Sequence, residues 1–406
     1  PARHSWVLRP AHGISMPALS NDLLPRLHRS AFAFRGYNVT NLGRTPELLA
    51  HPVYGPIVEP FLREAGEMCA DITRRPVDLV GRVRAARETA GLTDYAEDIA
   101  LIVAAEMAQM RILEQIFGIN ISASRYAFGY SLGECTALMA TGVYAMRDLL
   151  RVPLMMAEDC AALADHVTLA VLISRGPVLD VDMVHRLCLE ISHEGKGVVD
   201  VSSYLAPNSL LLMSQNGSLA SLQERTREVF RGAVSIRPHR HRYPPLHTPI
   251  MWQRCIPNRT AQLLLTTPGG FRAPSPPILS LVTGDTSYQE FNSRELIHRW
   301  VDHPQRLWDV VYRVLAEGIE TVIHVGPDPN LLPATFERLS NNVRAQLDGR
   351  GLGGLGRRTI SSLARRPWLT RVLPSSAVLL RAPFVEHVIL EDWLLEAQRG
   401  GSSPTN

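Results

Sequence analysis

The chain has 406 residues, which is long enough for a large core and two or three structural units. Its content of 46% hydrophobic and 20% charged residues is ordinary for a folded protein, and a net charge of +3 makes no case for nucleic-acid binding. No stretch approaches about 18 uncharged apolar residues, no signal-peptide pattern occurs at the N-terminus, and the cysteines are scattered without a Cys-x-x-Cys spacing. We therefore expect a soluble, cytoplasmic protein with no membrane span, no disulfide framework and no metal site.

The chain starts with a predicted lead-in segment, residues 1–30, which contains several prolines. A buried strand is predicted over 31–34, and a loop with two glycines follows it at 35–43. Apolar residues at helical spacing predict helices over 46–69 and 95–117. This order indicates the beginning of an α/β domain in which helices cover a sheet.

The segment Tyr126-Ala-Phe-Gly-Tyr-Ser-Leu-Gly-Glu134 begins as a short predicted strand. The strand leads into the pattern Gly-x-Ser-x-Gly at 129–133. In a nucleophile elbow, the two glycines let the backbone turn sharply between a strand and a helix, so the serine hydroxyl stands clear. The same pattern also occurs in simple turns, but the strand before it and the helix after it favour the elbow. The helix predicted over 132–141 would direct free N–H groups at the serine. Ser131 is the candidate nucleophile for chemistry on an acyl carbonyl.

From residue 166 the pattern changes to short strands with single helices between them. The predicted order is strand, helix, strand, strand, helix and strand, at 167–174, 180–192, 197–203, 209–214, 219–230 and 233–238. This βαββαβ order is typical of a ferredoxin-like unit. We predict a small ferredoxin-like domain, residues 166–242, inserted into a larger one.

The larger domain is predicted to resume at residue 243. Its later elements are a buried strand over 278–282, helices over 293–301 and 305–316, and a strand over 321–325. The predicted fold class is α/β, with an α/β-hydrolase-like large domain that contains a parallel sheet and comprises 31–165 and 243–342. A stretch rich in glycine and arginine then follows, which cannot build a core. Residues 343–406 are therefore predicted to be a linker and tail, whose apolar end, 377–395, folds back onto the body.

A serine needs a base beside it to become a good nucleophile. Among fourteen histidines, His247 differs from the others because it lies in Pro244-Pro-Leu-His-Thr-Pro-Ile-Met251, directly after the chain returns from the small domain. A loop that contains three prolines is stiff, which suits a base that must be held within hydrogen-bonding distance. His247 is the candidate base.

Four segments resemble the malonyl-CoA:carrier-protein transacylase family, the acyltransferase domains of fatty-acid and polyketide synthases. The family's Gly-His-Ser-x-Gly-Glu elbow is matched by Gly129-Tyr-Ser-Leu-Gly-Glu134, and its His-Ser-Pro-Leu-Met loop by His247-Thr-Pro-Ile-Met251. Its Phe-x-Phe-Pro-Gly-Gln-Gly loop resembles Phe32-Ala-Phe-Arg-Gly-Tyr-Asn38, and its Glu-x-Gly-Pro-Gly-x-x-Leu segment resembles His324-Val-Gly-Pro-Asp-Pro-Asn-Leu331. The four segments occur in the family's order across 31–340.

The resemblance implies that Ser131 attacks an acyl thioester and that His247 takes and returns the proton. It further implies an oxyanion hole made by the backbone N–H groups of Tyr37 and Leu132. The acyl group would come from acyl-CoA or another acyl thioester and pass to the phosphopantetheine thiol of an acyl carrier protein. No permanently bound cofactor is implied, and in a multidomain synthase other domains would be partners too.

The departures from the family concern the acyl pocket. Members that take malonyl groups have an arginine about 25 residues after the serine, where it pairs with the free carboxylate. Met156 stands at that distance from Ser131, and the nearest arginine, Arg151, is more than one turn away. Tyr130 replaces the elbow histidine, and Leu246 precedes the base. A buried carboxylate without a partner is costly, so the resemblance predicts a neutral acyl group, acetyl or longer, unless Met156 is a core residue and Arg151 serves instead.

Two other functions stay open at this point. An acyl hydrolase would use the same serine and histidine to release acyl groups from carrier proteins, with water in place of the thiol. A docking domain without activity would need neither residue, and both are present in intact motifs.

Overall fold

The computed structural model describes residues 22–89, 91–175, 178–348 and 377–396. Its strands are β1 (Ser30–Phe34), β2 (Tyr126–Gly129), β3 (Val167–Ser174), β4 (Val199–Ala206), β5 (Ser209–Gln215), β6 (Val234–Pro238), β7 (Thr321–Val325) and β8 (Glu386–Ile389). Its α-helices are α1 (Thr45–Ala50), α2 (Gly55–Thr73), α3 (Leu79–Arg84), α4 (Tyr95–Phe117), α5 (Leu132–Ala140), α6 (Met146–Leu149), α7 (Arg151–Ala164), α8 (Val181–His193), α9 (Ser218–Val229), α10 (Ile256–Thr266), α11 (Ser293–Asp302), α12 (Leu307–Ala316), α13 (Leu331–Asp348) and α14 (Leu390–Glu396).

The larger sheet contains four parallel strands in the order β2-β1-β7-β8. All five residues of β1 are buried, as expected for a parallel strand that is covered on both faces. Phe32 and Phe34 contribute to one core cluster, and Ala31 and Ala33 to another on the opposite face. The alternation of side chains along a strand therefore divides the large domain into two apolar layers.

The smaller sheet is antiparallel, with the strand order β4-β5-β3-β6. Apolar residues of α8 and α9 pack against one face of it. The opposite face carries Leu169, Val171 and Ile173 of β3 and Leu211 and Met213 of β5, which line a cavity. The predicted α/β class, the parallel sheet and the inserted ferredoxin-like unit are confirmed, while the boundaries 166–242 stay a prediction.

One prediction for the rest of the chain is wrong. Of the strand predicted over 278–282, only Ile278 and Leu279 form isolated bridges. The Leu281 N–H donates to the Glu134 carboxylate at 3.1 Å and not to a neighbouring strand. The boundary of the large domain at 342 also stays a prediction; α13 continues to Asp348, and β8, in the segment predicted to fold back onto the body, pairs with β7. Residues 1–21 and the Gly/Arg stretch from 349 lie outside the described residues. Within the described residues, no helix combines the length and the apolar character needed to cross a membrane.

Candidate active site

The elbow between β2 and α5 has the geometry expected of Gly-x-Ser-x-Gly. Ser131 lies between strand and helix with φ 53° and ψ −116°, a conformation that non-glycine residues rarely adopt. A Cβ atom on Gly129 would lie 2.1 Å from the carbonyl carbon of Gly133, and one on Gly133 would lie 2.3 Å from the carbonyl oxygen of Phe34. Only glycine fits at either position, so these two residues allow the turn that leaves Ser131 at the cavity surface.

His247 lies beside the serine. Its Nε2 is 2.8 Å from Ser131 Oγ, and its Nδ1 is 2.6 Å from the carbonyl oxygen of Trp300. A carbonyl can only accept, so the ring proton belongs on Nδ1 and Nε2 is left to accept the proton of the serine hydroxyl. Burial lowers the pKa of His247 to about 4, with the Trp300 carbonyl acting in the opposite direction. The imidazole is therefore neutral near pH 7, as a proton acceptor must be.

The end of α11 orients this histidine. The last four carbonyls of an α-helix have no partner inside the helix. In α11 the carbonyl of Trp300 accepts from His247 Nδ1, and that of Val301 accepts from the His247 backbone N–H at 2.8 Å. The end of a helix thus takes the place that an acidic third residue has in a catalytic triad.

Two residues that the sequence reasoning missed hold the nucleophile's backbone. The indole N–H of Trp300 donates to the Ser131 carbonyl at 2.8 Å, and its ring meets His247 edge-on with centroids 5.5 Å apart. The buried Gln305 side chain accepts from the Ser131 N–H at 3.1 Å. The need for an acceptor at Nδ1 predicts a free carbonyl, but the sequence does not show which helix end supplies it.

The loop after β1, residues 35–44, packs directly against the elbow. A Cβ atom on Gly36 would lie 2.7 Å from the carbonyl oxygen of Tyr130 and 3.4 Å from Ser131 Cβ. Tyr37 follows in this loop, and Leu132 is the first residue of α5. Among the described residues, neither of these two N–H groups donates a hydrogen bond to another group. Leu132 directly follows Ser131 and Tyr37 directly follows Gly36, so the two predicted oxyanion donors belong to segments that meet at the nucleophile.

A cavity of about 750 Å³ extends from Ser131 and His247 between the small sheet and α13. Its walls are mostly apolar, and no described Asp or Glu lines it. Its arginines are Arg237 on β6 and Arg338 on α13, both exposed. Tyr130 and Leu246 line this cavity, and their contact with an acyl group stays a prediction.

Met156, which the sequence predicts to lie in the acyl pocket, lies in the apolar core of the structure. Its side chain is 4% exposed, belongs to the apolar core and does not line the cavity. The apolar face of α7 packs inward against α4 and α2, which points Met156 into the core. Arg151 is exposed at the start of α7 and does not line the cavity either. The prediction that Met156 contacts the acyl group is wrong.

Within the described residues, His, Cys, Asp and Glu side chains form no group of three or more that could hold a metal ion. The site itself offers a serine hydroxyl, a neutral imidazole and two backbone N–H groups. Such a set can form and resolve an ester at an acyl carbonyl.

No family model matches this chain. It is 25% identical over 307 residues to polyketide synthase GfsA of Streptomyces halstedii, a match that covers 74% of this chain but spans only 4% of that protein. The matches to solved structures span most of both chains. FabD of Acinetobacter baumannii has a TM-score of 0.61 at 18% identity, with 75% of this chain and 89% of that chain covered.

Two further solved structures agree with this match. The acyl carrier protein S-malonyltransferase of Vibrio cholerae has a TM-score of 0.61 at 18% identity, with coverage of 76% and 92%. The malonyl-CoA:acyl carrier protein transacylase of Xanthomonas oryzae has a TM-score of 0.58 at 20% identity, with coverage of 76% and 90%. The resemblance predicted from the sequence is confirmed: the chain has the fold of the malonyl-CoA:acyl-carrier-protein transacylases.

Proposed function

We propose that this chain is an acyltransferase that moves an acyl group from acyl-CoA or a carrier thioester to the phosphopantetheine thiol of an acyl carrier protein, in polyketide or fatty-acid synthesis. The observation that carries the proposal is the 2.8 Å contact between Ser131 Oγ and His247 Nε2 at a nucleophile elbow. No permanently bound cofactor enters the reaction.

The first half-reaction acylates the serine. His247 Nε2 takes the hydroxyl proton while Ser131 Oγ bonds to the thioester carbonyl, whose oxygen becomes negative. The N–H groups of Tyr37 and Leu132 stabilise that oxygen, a contribution worth on the order of 3 kcal/mol per donor in other enzymes. The carbon–sulfur bond then breaks, and the leaving thiolate receives the proton from His247.

The second half-reaction reverses these roles. His247 takes the proton of the incoming phosphopantetheine thiol, the thiolate attacks the acyl-serine ester, and Ser131 leaves with the proton. Release to water instead of a thiol would make the protein an acyl hydrolase on the same residues.

The cavity supports a neutral, apolar acyl group. Leu169, Val171, Leu211 and Met213 of the small sheet form an apolar wall. Arg151 does not line the cavity, and the two arginines that do, Arg237 and Arg338, are exposed to solvent. A malonyl carboxylate that is desolvated there without a partner would cost about 2–4 kcal/mol, a preference of roughly thirty- to a thousandfold against it.

Intact-mass spectrometry after mixing with acetyl-, malonyl- or octanoyl-CoA tests both statements. We expect one acyl adduct, fastest with a neutral acyl group, absent in Ser131→Ala and formed 10²–10⁴-fold more slowly in His247→Ala. Ser122→Ala and His241→Ala, both exposed positions, serve as controls.

The outcomes separate the alternatives. An adduct that persists in Ser131→Ala contradicts the nucleophile, and fastest acylation by malonyl-CoA would mean that Arg237 or Arg338 reaches the carboxylate. An adduct that decays to free acid as fast with the carrier protein as without it identifies the hydrolase. Failure of every thioester to acylate the folded protein would favour a docking domain.

A further inference from the structure

We propose that two buried side chains, Arg35 and Glu391, act as positioning residues that hold the 35–44 loop against Ser131, so that one carboxylate of α14 supports the active site. This inference rests on the proposed function, because the loop matters only if the Tyr37 N–H stabilises an oxyanion.

Arg35 is only 4% exposed, although it carries a charge. Its Nε donates to the Gly36 carbonyl at 2.8 Å, and its Nη2 donates to the Thr40 carbonyl at 3.1 Å and to Asn41 Oδ1 at 2.9 Å. Its Nη1 donates to the Pro327 carbonyl in the loop after β7. One rigid guanidinium therefore ties both sides of the turn that contains Tyr37 to a neighbouring loop.

Glu391 holds the far end of the same loop. It lies in α14 and is 4% exposed, and its two carboxylate oxygens accept from different backbone N–H groups. Oε2 accepts from the Arg44 N–H and Oε1 from the Asp328 N–H, each at 2.8 Å. A Cβ atom on Gly43 would lie 2.7 Å from Glu391 Oε2, so the glycine leaves room for the carboxylate.

The two side chains act together. Arg35 joins the 35–44 loop to residues 327–328, and Glu391 joins the same two segments from the other side. Burial lowers the pKa of the Arg35 guanidinium, and the negative charges of Glu106, Asp328 and Glu391 act against that effect. Neither side chain lines the cavity, so neither is placed to bind the substrate.

The effect on the reaction follows from the position of the loop. A Cβ atom on Gly36 would lie 3.4 Å from Ser131 Cβ, and Tyr37 is the next residue. Misplacement of a stabilising group by about 1 Å costs on the order of a hundredfold in rate, and loss of one oxyanion donor costs about 10²–10³. Loss of the hydrogen bonds of either Arg35 or Glu391 is therefore expected to lower kcat and to leave KM unchanged.

Glu391→Gln is the most direct test, because it keeps the size of the side chain and replaces one acceptor oxygen with an NH2 group that faces an N–H. We expect acylation of Ser131 to slow at least tenfold at unchanged KM for acyl-CoA. The infrared carbonyl band of the acyl-serine should move to higher frequency, since the ester carbonyl has lost hydrogen bonding. A change in stability alone would not move that band.

The matched control is Asp392→Asn. Asp392 is the next residue of α14 and pairs with the Arg44 side chain at 2.9 Å, but it is half-exposed, and no backbone N–H among the described residues donates to it. Loss of such an exposed pair is expected to change neither kcat nor the carbonyl band.

Glu391→Asp keeps both acceptor oxygens on a shorter side chain. It replaces Glu391→Gln as the test variant if Glu391→Gln does not fold. We expect its acylation rate to lie between those of wild type and Glu391→Gln. A wild-type acylation rate and carbonyl band in either folded variant would overturn the inference. Failure of wild type itself to form an acyl adduct would instead count against the proposed function.

Discussion

Gly36→Ala tests how tightly the 35–44 loop is fitted against the nucleophile. The added Cβ atom would lie 2.7 Å from the carbonyl oxygen of Tyr130, whereas ordinary contact begins at 3.4 Å. The loop or the elbow must therefore shift by about 0.7 Å. Because a displacement of about 1 Å costs on the order of a hundredfold in rate, we expect acylation of Ser131 to slow by about ten- to a hundredfold.

The assay is the single-turnover rate of acylation, followed by quenched mass spectrometry with the fastest acyl-CoA. Overpacking of this kind also destabilises proteins by about 1–3 kcal/mol, so thermal unfolding is measured alongside. Gly217→Ala is the matched control, since Gly217 has φ −83° and its added Cβ atom would meet no atom within 4 Å. We expect that control to acylate and unfold like wild type.

A folded Gly36→Ala protein that acylates at the wild-type rate would refute this reasoning. It would mean that the loop accommodates the methyl group without moving the Tyr37 N–H, or that this N–H does not contact the oxyanion. The position of the acyl-serine carbonyl band distinguishes the two cases.

Further predictions concern the base, the helix that orients it and Arg237 in the cavity wall. Because burial lowers the pKa of His247 to about 4, acylation should keep its full rate at pH 6 and fall only as pH approaches 4; a midpoint near 6.5 in the pH–rate profile would contradict this. The unfolded chain protonates this histidine first, so the free energy of unfolding should fall as pH drops from about 6.5 to 4. Trp300→Phe keeps the carbonyl that orients His247 but loses the indole hydrogen bond to Ser131, so acylation should slow by up to about tenfold at constant KM, while the exposed Trp252→Phe has no effect. Arg237→Gln should raise KM for acyl-CoA but not for acyl-pantetheine, which lacks the phosphates, and equal effects on both donors would exclude a phosphate contact.

The regular part of the fold could be predicted from local pattern. The strand predicted over 167–174 is observed as Val167–Ser174. Its apolar residues alternate between the two faces of the small sheet, and such a pattern specifies both the strand and its register. Strand β8 was missed, since Glu386–Ile389 is short and carries a glutamate and a histidine. Its identity as a strand comes from pairing with β7, a contact far away in sequence that no local pattern reveals.

The residues of the site also divide into those that a local motif reveals and those that depend on the folded structure. Ser131 and His247 could be found because their motifs fix the local backbone, and the structure brings them within 2.8 Å. Met156 was misplaced because a count along the chain gives a position on α7 but not the direction of its side chain. Trp300 was missed because the carbonyl that it offers to His247, at a helix end, is a backbone group that any residue type supplies.

The final strand has a consequence for self-association. β7 is a short, fully buried strand, and β8 covers the edge that β1 does not. The other edge of the sheet, at β2, is covered by residues 277–279, which exchange hydrogen bonds with Ala127. A chain cut after residue 348 would therefore expose the unpaired N–H and carbonyl groups of β7 beside apolar Val322 and Ile323 side chains. Such an edge pairs readily with a second copy, so a shortened protein is expected to aggregate even where its core still folds.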